Sequence, residues 1–168
     1  MPLLVLTLIC VVVSVALAIM HSITEPIITE AAHERAQIAM LETLPDATGF
    51  EQISAYDFDG IPVSIREMYR TSNNVGYIFI AAVRGFGGDI TVIAGVDNDG
   101  RIISSSTLSH SETRGIGNFI EEEWFIGQFI GLRNNFEDVD TIAGATITRD
   151  AFIHAIEDVL IAFEIVRG

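Results

Sequence analysis

The run Asp140-Thr-Ile-Ala-Gly-Ala-Thr-Ile-Thr148 places a hydroxyl, that of Thr146, on a turn of small residues. Apolar residues then recur at helical spacing from Ala151 to Val166, so the turn sits just ahead of a helix N-terminus. Such a terminus exposes backbone N–H groups that have no intrahelical acceptor, and it carries the positive end of the helix dipole. A phosphate attached or bound at this turn is therefore favoured over most other places on so acidic a chain. The competing reading is an ordinary loop in which the Thr148 side chain caps the helix.

Other constellations fail on spacing. Gly85-Phe-Gly-Gly88 lacks the last glycine of a dinucleotide-binding turn, Ile90 standing in its place, and it leads into a strand-like run rather than a helix. Asp97-Asn-Asp-Gly100 lacks the alternating oxygen ligands and terminal Glu of a calcium loop, and reads as a hairpin turn. His110, Glu112 and His154 do not have zinc-ligand spacing, so no metal is expected. Ser109, His110, Glu112 and Asp140 supply the residue types of a hydrolytic triad, but there is no Gly-x-Ser-x-Gly elbow.

Residues 76 to about 163 resemble one family as a whole. The C-terminal run is similar to the flavinylation motif of FMN-binding domains: Asp, two variable residues, Ser or Thr, Gly-Ala-Thr, then a further Ser or Thr. Here Ala143 stands where Ser or Thr is usual. His110-Ser-Glu-Thr-Arg-Gly-Ile-Gly117 resembles the His-x-Glu-Thr-Pro-Gly-Leu-Gly of the same domains, with Arg114 in place of Pro, and Trp124-Phe-Ile-Gly-Gln-Phe129 is also similar. The resemblance is to the domain shared by the G subunit of Rnf electron transport complexes and the C subunit of the sodium-translocating NADH:quinone reductase. It implies FMN joined through its phosphate to Thr146, with Gly144, Ala145 and Thr148 around the attachment. It also implies that Glu112, Thr113, Gly115 and Gly117 lie at the flavin, where glycines let backbone approach a planar ring and Thr113 and loop amides donate to ring carbonyls. Arg114 is then a candidate to hold phosphate or an anionic flavin. Without a flavin, Glu112 to Gly117 would be a capped turn ahead of Asn118.

The implied activity is electron relay in a membrane-bound, ion-translocating oxidoreductase of the Rnf type, linked to ferredoxin and NAD. Its partners would be the other membrane subunits, membrane lipid, and a flavin transferase that uses FAD and Mg²⁺ during maturation. Thr146 would be an anchor and not a catalytic acid or base. The alternatives are a membrane-anchored flavin sensor outside any pump, the C-type subunit of the sodium pump, and a flavin-free structural anchor.

The elements that must position these residues are legible more coarsely. The 168 residues hold one domain of about 140 residues and an appendage. A net charge of −14, with all nine basic residues Arg, argues against binding nucleic acid or an anionic surface through charge. Leu3 to Met20 is apolar apart from Thr7 and Ser14, and covers about 27 Å as a helix, near the thickness of a bilayer core. With no basic segment ahead of it, it reads as an uncleaved anchor rather than a signal peptide. The first basic residue is Arg35, so charge does not orient the anchor. The folded domain is expected on the side away from the N-terminus, and the resemblance implies the periplasm or cell exterior. A single cysteine, Cys10, excludes an internal disulfide and a cysteine-held iron–sulfur cluster.

The expected fold is α+β, divided into a transmembrane anchor (1–22), a stalk helix (23–45) and an FMN-binding domain (46–168). The stalk helix starts at Thr24-Glu-Pro26 and stops before Pro45, with a loose apolar stripe of Ile27, Ile28, Ala31, Ala32, Ile38 and Leu41 that packs on the domain. Tyr77 to Val83, Ile90 to Val96 and Arg101 to Leu108 are expected strands of an antiparallel sheet. A C-terminal helix is expected from about Thr148 to Ile165.

Overall fold

β-branched and aromatic residues are concentrated along the middle of the chain, and in the computed structural model they form a five-stranded antiparallel sheet. The structure describes the backbone of all residues but 1 and 137, and the side chains of these but 2–4, 27 and 29–33. The strands are β1 (Phe50–Ile53), β2 (Ile65–Thr71), β3 (Gly76–Arg84), β4 (Asp89–Asp97) and β5 (Ile102–Ser109). Their order in the sheet is their order in the chain, a meander joined by successive hairpins.

Period-2 alternation gives the sheet two faces. Phe79, Ala81 and Val83 of β3 stand opposite Ala94, Val92 and Ile90 of β4, and all six belong to the main core. They pack against helix α3 (Thr146–Arg167), whose Phe152, Ala155, Ile156, Val159, Ala162 and Phe163 form one stripe at helical spacing. Phe119, Phe125 and Phe129, carried by short helical turns after β5, complete this core, α2 (Glu123–Ile126) being one of those turns. Ile78, Ile80 and Ile93 point to the other face and are also buried.

The Asp97–Gly100 turn forms as expected. Asp97 Oδ1 accepts from the Asp99 amide (2.9 Å) and the Arg101 amide (2.8 Å), and Gly100 takes the positive φ of +83° that the reversal needs. Asp97→Ala removes both side-chain bonds and is expected to lower stability by about 1–2 kcal/mol; urea unfolding followed by circular dichroism measures it. Elsewhere, burial and then the hydrogen bond to Glu67 (2.5 Å) push the phenol of Tyr69 on β2 well above its ordinary pKa.

At the N-terminus, α1 (Pro2–Thr43) is one uninterrupted helix. The chain divides into two units, Met1–Gln37 and Ile38–Gly168. In the first, Val5–Pro26 is long and apolar enough to cross a membrane, with a mean hydropathy of 2.5 and no residue of its most apolar stretch buried. No new helix starts at Thr24: Pro26 lies inside α1, at the cost of one donor to the Ser22 carbonyl. The Ala-rich sequence that follows, Ala31 and Ala32 included, favours continuation.

In the second unit the expected apolar stripe is corrected. Ile38 and Leu41 are more than half exposed, whereas Met40, Thr43 and Leu44 are buried. Gly95 of β4 explains the choice, since a Cβ there would come within 2.8 Å of Thr43 Cγ2 and 3.3 Å of Leu44 Cγ. The missing side chain on β4 lets the end of α1 settle on the second sheet face. Ile27, Ala31 and Ala32 of the expected stripe have side chains outside the described residues.

Candidate functional site

The turn that opens α3 differs from expectation in one instructive way. The helix begins at Thr146, with Ala145 as its N-cap (φ −110°, ψ 24°) and no side-chain cap. The first turn closes through the Arg149 amide to the Ala145 carbonyl (3.0 Å). Thr148 is therefore inside the helix and not its cap: it is 2% exposed, and its hydroxyl donates to Glu112 Oε2 at 2.7 Å. Thr146 is exposed, and it shares the first turn with amides that have no intrahelical acceptor. Gly144 holds the approach to this turn at φ +85°, with open space where a Cβ would be.

Two clamps fix the segment leading in. Gln128 accepts from the Asp140 amide through Oε1 (2.7 Å). Arg149 donates from Nε to the Val139 carbonyl (2.8 Å) and from Nη2 to the Phe136 carbonyl (3.4 Å). Neither role is legible in sequence, because both depend on contacts to backbone carbonyls and amides rather than on side-chain types.

Beside the turn lies a cavity of about 190 Å³, lined by Phe86, Thr113, Ile116, Gly144, Ala145, Ile147 and Thr148. Three separate segments meet there: the β3–β4 hairpin, the loop after β5 and the start of α3. Phe86 (67%), Ile147 (58%) and Ile116 (48%) are large apolar side chains left exposed at its rim. Sequence motifs alone do not single them out. A large aromatic between the glycines of a short hairpin, with little to pack on, is the signal that would have found Phe86.

The loop after β5 is ordered by its own backbone. The Gly117 and Ile116 amides both donate to the Thr113 carbonyl (2.8 and 3.1 Å), and the Gly115 amide donates to Asn118 Oδ1 (2.6 Å) with φ at +80°. Glu112 is 7% exposed; its Oε1 accepts from the Gly87 amide (3.0 Å), and its own amide donates to His110 Nδ1 (3.0 Å). The other nitrogen of His110, Nε2, lies 3.0 Å from Glu121 Oε1.

Arg114 faces elsewhere. It lines a separate cavity with His110, Glu112, Asn118 and Glu121, and it is not among the residues around the Thr146 turn. Trp124 and Phe125 divide as well: Phe125 is fully buried in the core, whereas Trp124 is 47% exposed and stacks on Phe119, ring centroids 5.9 Å apart.

Thr113, Gly144, Ala145 and Thr148 are thus brought together around one cavity, and Glu112 and Gly117 lie directly behind it. An exposed hydroxyl at a helix N-terminus beside an apolar rim suits a group with a phosphate at one end and a flat, weakly polar ring at the other. FMN is such a group, and the residues present fit it.

Comparison with known proteins agrees. The FMN-binding domain family matches residues 85–161, a span that contains the Phe86 hairpin, the loop after β5 and the start of α3. The G subunit of the ion-translocating oxidoreductase complex of Methanosarcina acetivorans is 32% identical over 163 residues, covering 90% of this chain and 87% of that protein. The chain belongs to the family of G subunits of ion-translocating oxidoreductase complexes. Another member, the G subunit of the proton-translocating ferredoxin:NAD(+) oxidoreductase complex of Clostridium ljungdahlii, is 26% identical over 91% of this chain and 85% of its own length. Among solved structures, that of Shewanella oneidensis NqrC is similar at 18% identity and a TM-score of 0.48, over 68% of this chain and 66% of that one. Family membership and the apolar span Val5–Pro26 together make this G-type chain a membrane-anchored protein with an FMN-binding domain.

Proposed function

We propose that the chain is the electron-relaying G subunit of an Rnf-type, ferredoxin- and NAD-linked complex, and that it holds FMN through a phosphoester to Thr146. The observation that carries this reading is the exposed Thr146 hydroxyl at the first position of α3, beside an apolar cavity. Gly144 and Ala145 leave room for a phosphate to approach the helix amides, which hold its charge. Thr113 would face the ring, the amides of the Gly115–Gly117 turn being engaged within the loop itself, and Phe86, Ile116 and Ile147 would exclude water from it. Glu112 and Thr148 support this arrangement from behind. When bound, FMN supplies electron transfer, one electron at a time.

Maturation requires a partner. A flavin transferase binds FAD and Mg²⁺; the Thr146 oxygen attacks the flavin-side phosphorus, the pyrophosphate P–O bond breaks and AMP leaves. The hydroxyl proton passes to a base on the transferase. The remaining partners are the other membrane subunits of the complex and the surrounding lipid. The domain faces the periplasm or cell exterior, where a covalent tether prevents loss of a scarce cofactor.

The test is co-expression of the full chain with a flavin transferase, in membranes that also contain the other subunits. In-gel flavin fluorescence, an FMN mass increment on the peptide containing Thr146, and co-purification with several multi-span subunits are the expected results. A colourless band of unmodified mass, from a transferase active on a control substrate, overturns the covalent reading. A fluorescent protein that purifies alone and stays redox-silent with membranes points instead to a sensor.

A further inference from the structure

Attachment at Thr146 depends on how the first turn of α3 is held, and one buried carboxylate holds it. Glu112 divides its oxygens between two segments: Oε1 accepts from the Gly87 amide in the β3–β4 hairpin, and Oε2 from the Thr148 hydroxyl in α3. The backbone around it is cut to fit. A Cβ on Gly85 would lie 2.3 Å from Oε1, and one on Gly117 would lie 2.7 Å from Oε2. A buried carboxylate is tolerated only when its oxygens are hydrogen-bonded, so neither contact is given up without leaving a charged oxygen unpaired. The dipole of α3 adds to this, since Thr148 lies in its first turn.

All three walls of the cavity therefore register against one side chain. Phe86 precedes Gly87 on the hairpin, Thr113 follows Glu112 on the loop, and Thr146 is two residues before Thr148 on the helix. Thr148 points inward and Thr146 outward, so the inward contact sets the rotation of the turn that displays the outward hydroxyl. We propose that Glu112 is a positioning residue for modification: acting through Thr148, it fixes the first turn of α3 so that the Thr146 hydroxyl is presented to the transferase. The proposal rests on the attachment to Thr146 inferred above.

The experiment uses the full chain co-expressed with a flavin transferase, and compares wild type with Thr148→Val, Thr148→Ser, Glu112→Gln and the double variant Glu112→Gln/Thr148→Val. Two quantities are followed: the initial rate at which the FMN increment appears on the Thr146 peptide, and hydrogen exchange of the α3 first-turn amides in unmodified protein. Thr148→Val is expected to slow modification by about tenfold to a hundredfold, the scale of an ångström-sized misplacement of a reacting group. Thr148→Ser, which keeps the hydroxyl, stays within about twofold of wild type. First-turn exchange speeds up in the Val variant and not in the Ser variant. The double variant is no slower than the slower single one, because the two residues act as one unit. Should Thr148→Val fail to accumulate, Glu112→Gln, which keeps the shape but loses the second acceptor oxygen, carries the same comparison.

A Thr148→Val protein modified at the wild-type rate with unchanged exchange overturns the proposal, as do additive effects in the double variant. Wild-type protein left unmodified by an active transferase instead overturns the attachment reading and, with it, this role. The two failures are distinguished by the wild-type lane alone.

Discussion

Thr146→Ala is expected to abolish covalent flavin altogether: no fluorescent band on a denaturing gel, and no FMN increment on the peptide from this region. The substitution removes the oxygen that would form the proposed phosphoester, and little else. Thr146 is exposed, its side chain makes no cap, and Ala is the best helix former, so stability should stay within about 0.5 kcal/mol of wild type. Thr146→Ser keeps a hydroxyl at the same place and should still be modified. The pair separates an anchor from a supporting residue, because an anchor tolerates only another hydroxyl. Persistent fluorescence in the Ala variant would move the attachment to another residue.

Phe152→Ala should have the largest effect on stability, a loss of about 3–5 kcal/mol. Phe152 is fully buried, with ring centroids 5.2 Å from Phe125 and 5.0 Å from Phe129. It is the side chain by which α3 reaches the aromatic cluster carried by the turns after β5. Truncation leaves a cavity among rings that have no reason to collapse together, and the loss is a large fraction of the roughly 5–15 kcal/mol typical of a whole domain. Urea unfolding of the full chain in detergent measures it. Phe152→Leu, which keeps most of the volume, should lose considerably less, and equal losses for the two would argue against cavity formation as the cause.

Much of the fold was legible because the signals are local. β3 and β4 follow from β-branched and aromatic runs between glycines, the turn between β4 and β5 from Asp97 and Gly100, and the stripe of α3 from its helical period. β1 is only four residues long, and β2 (Ile65–Thr71) mixes charge into its inward alternation, so neither stands out without its neighbour. The helix break expected at Thr24 failed because Thr-Glu-Pro marks a first turn only when nothing helical precedes it. At the site, the family resemblance pointed to the loop residues and to Thr146 as candidates, but the start of α3 could not be read. Ala145 caps without a side chain, so Thr148 looked like the cap; its true partner, Glu112, is 36 residues away in sequence. Arg114 likewise could be noticed as unusual, but the side of the loop it occupies is set by the turn at Gly115.

The meander has a bearing on when the flavin can be added. Every strand pairs with the one made just before it, so the sheet can assemble in the order of synthesis, by local pairings that are quick to form. The cavity cannot, because four of its seven lining residues, Gly144, Ala145, Ile147 and Thr148, belong to the last element and its approach. The Thr146 hydroxyl, the proposed acceptor, is thus set in place only when α3 docks on a sheet already built. On the proposed attachment, a chain with its sheet formed but α3 undocked offers the transferase no site, and modification becomes a mark carried only by finished protein.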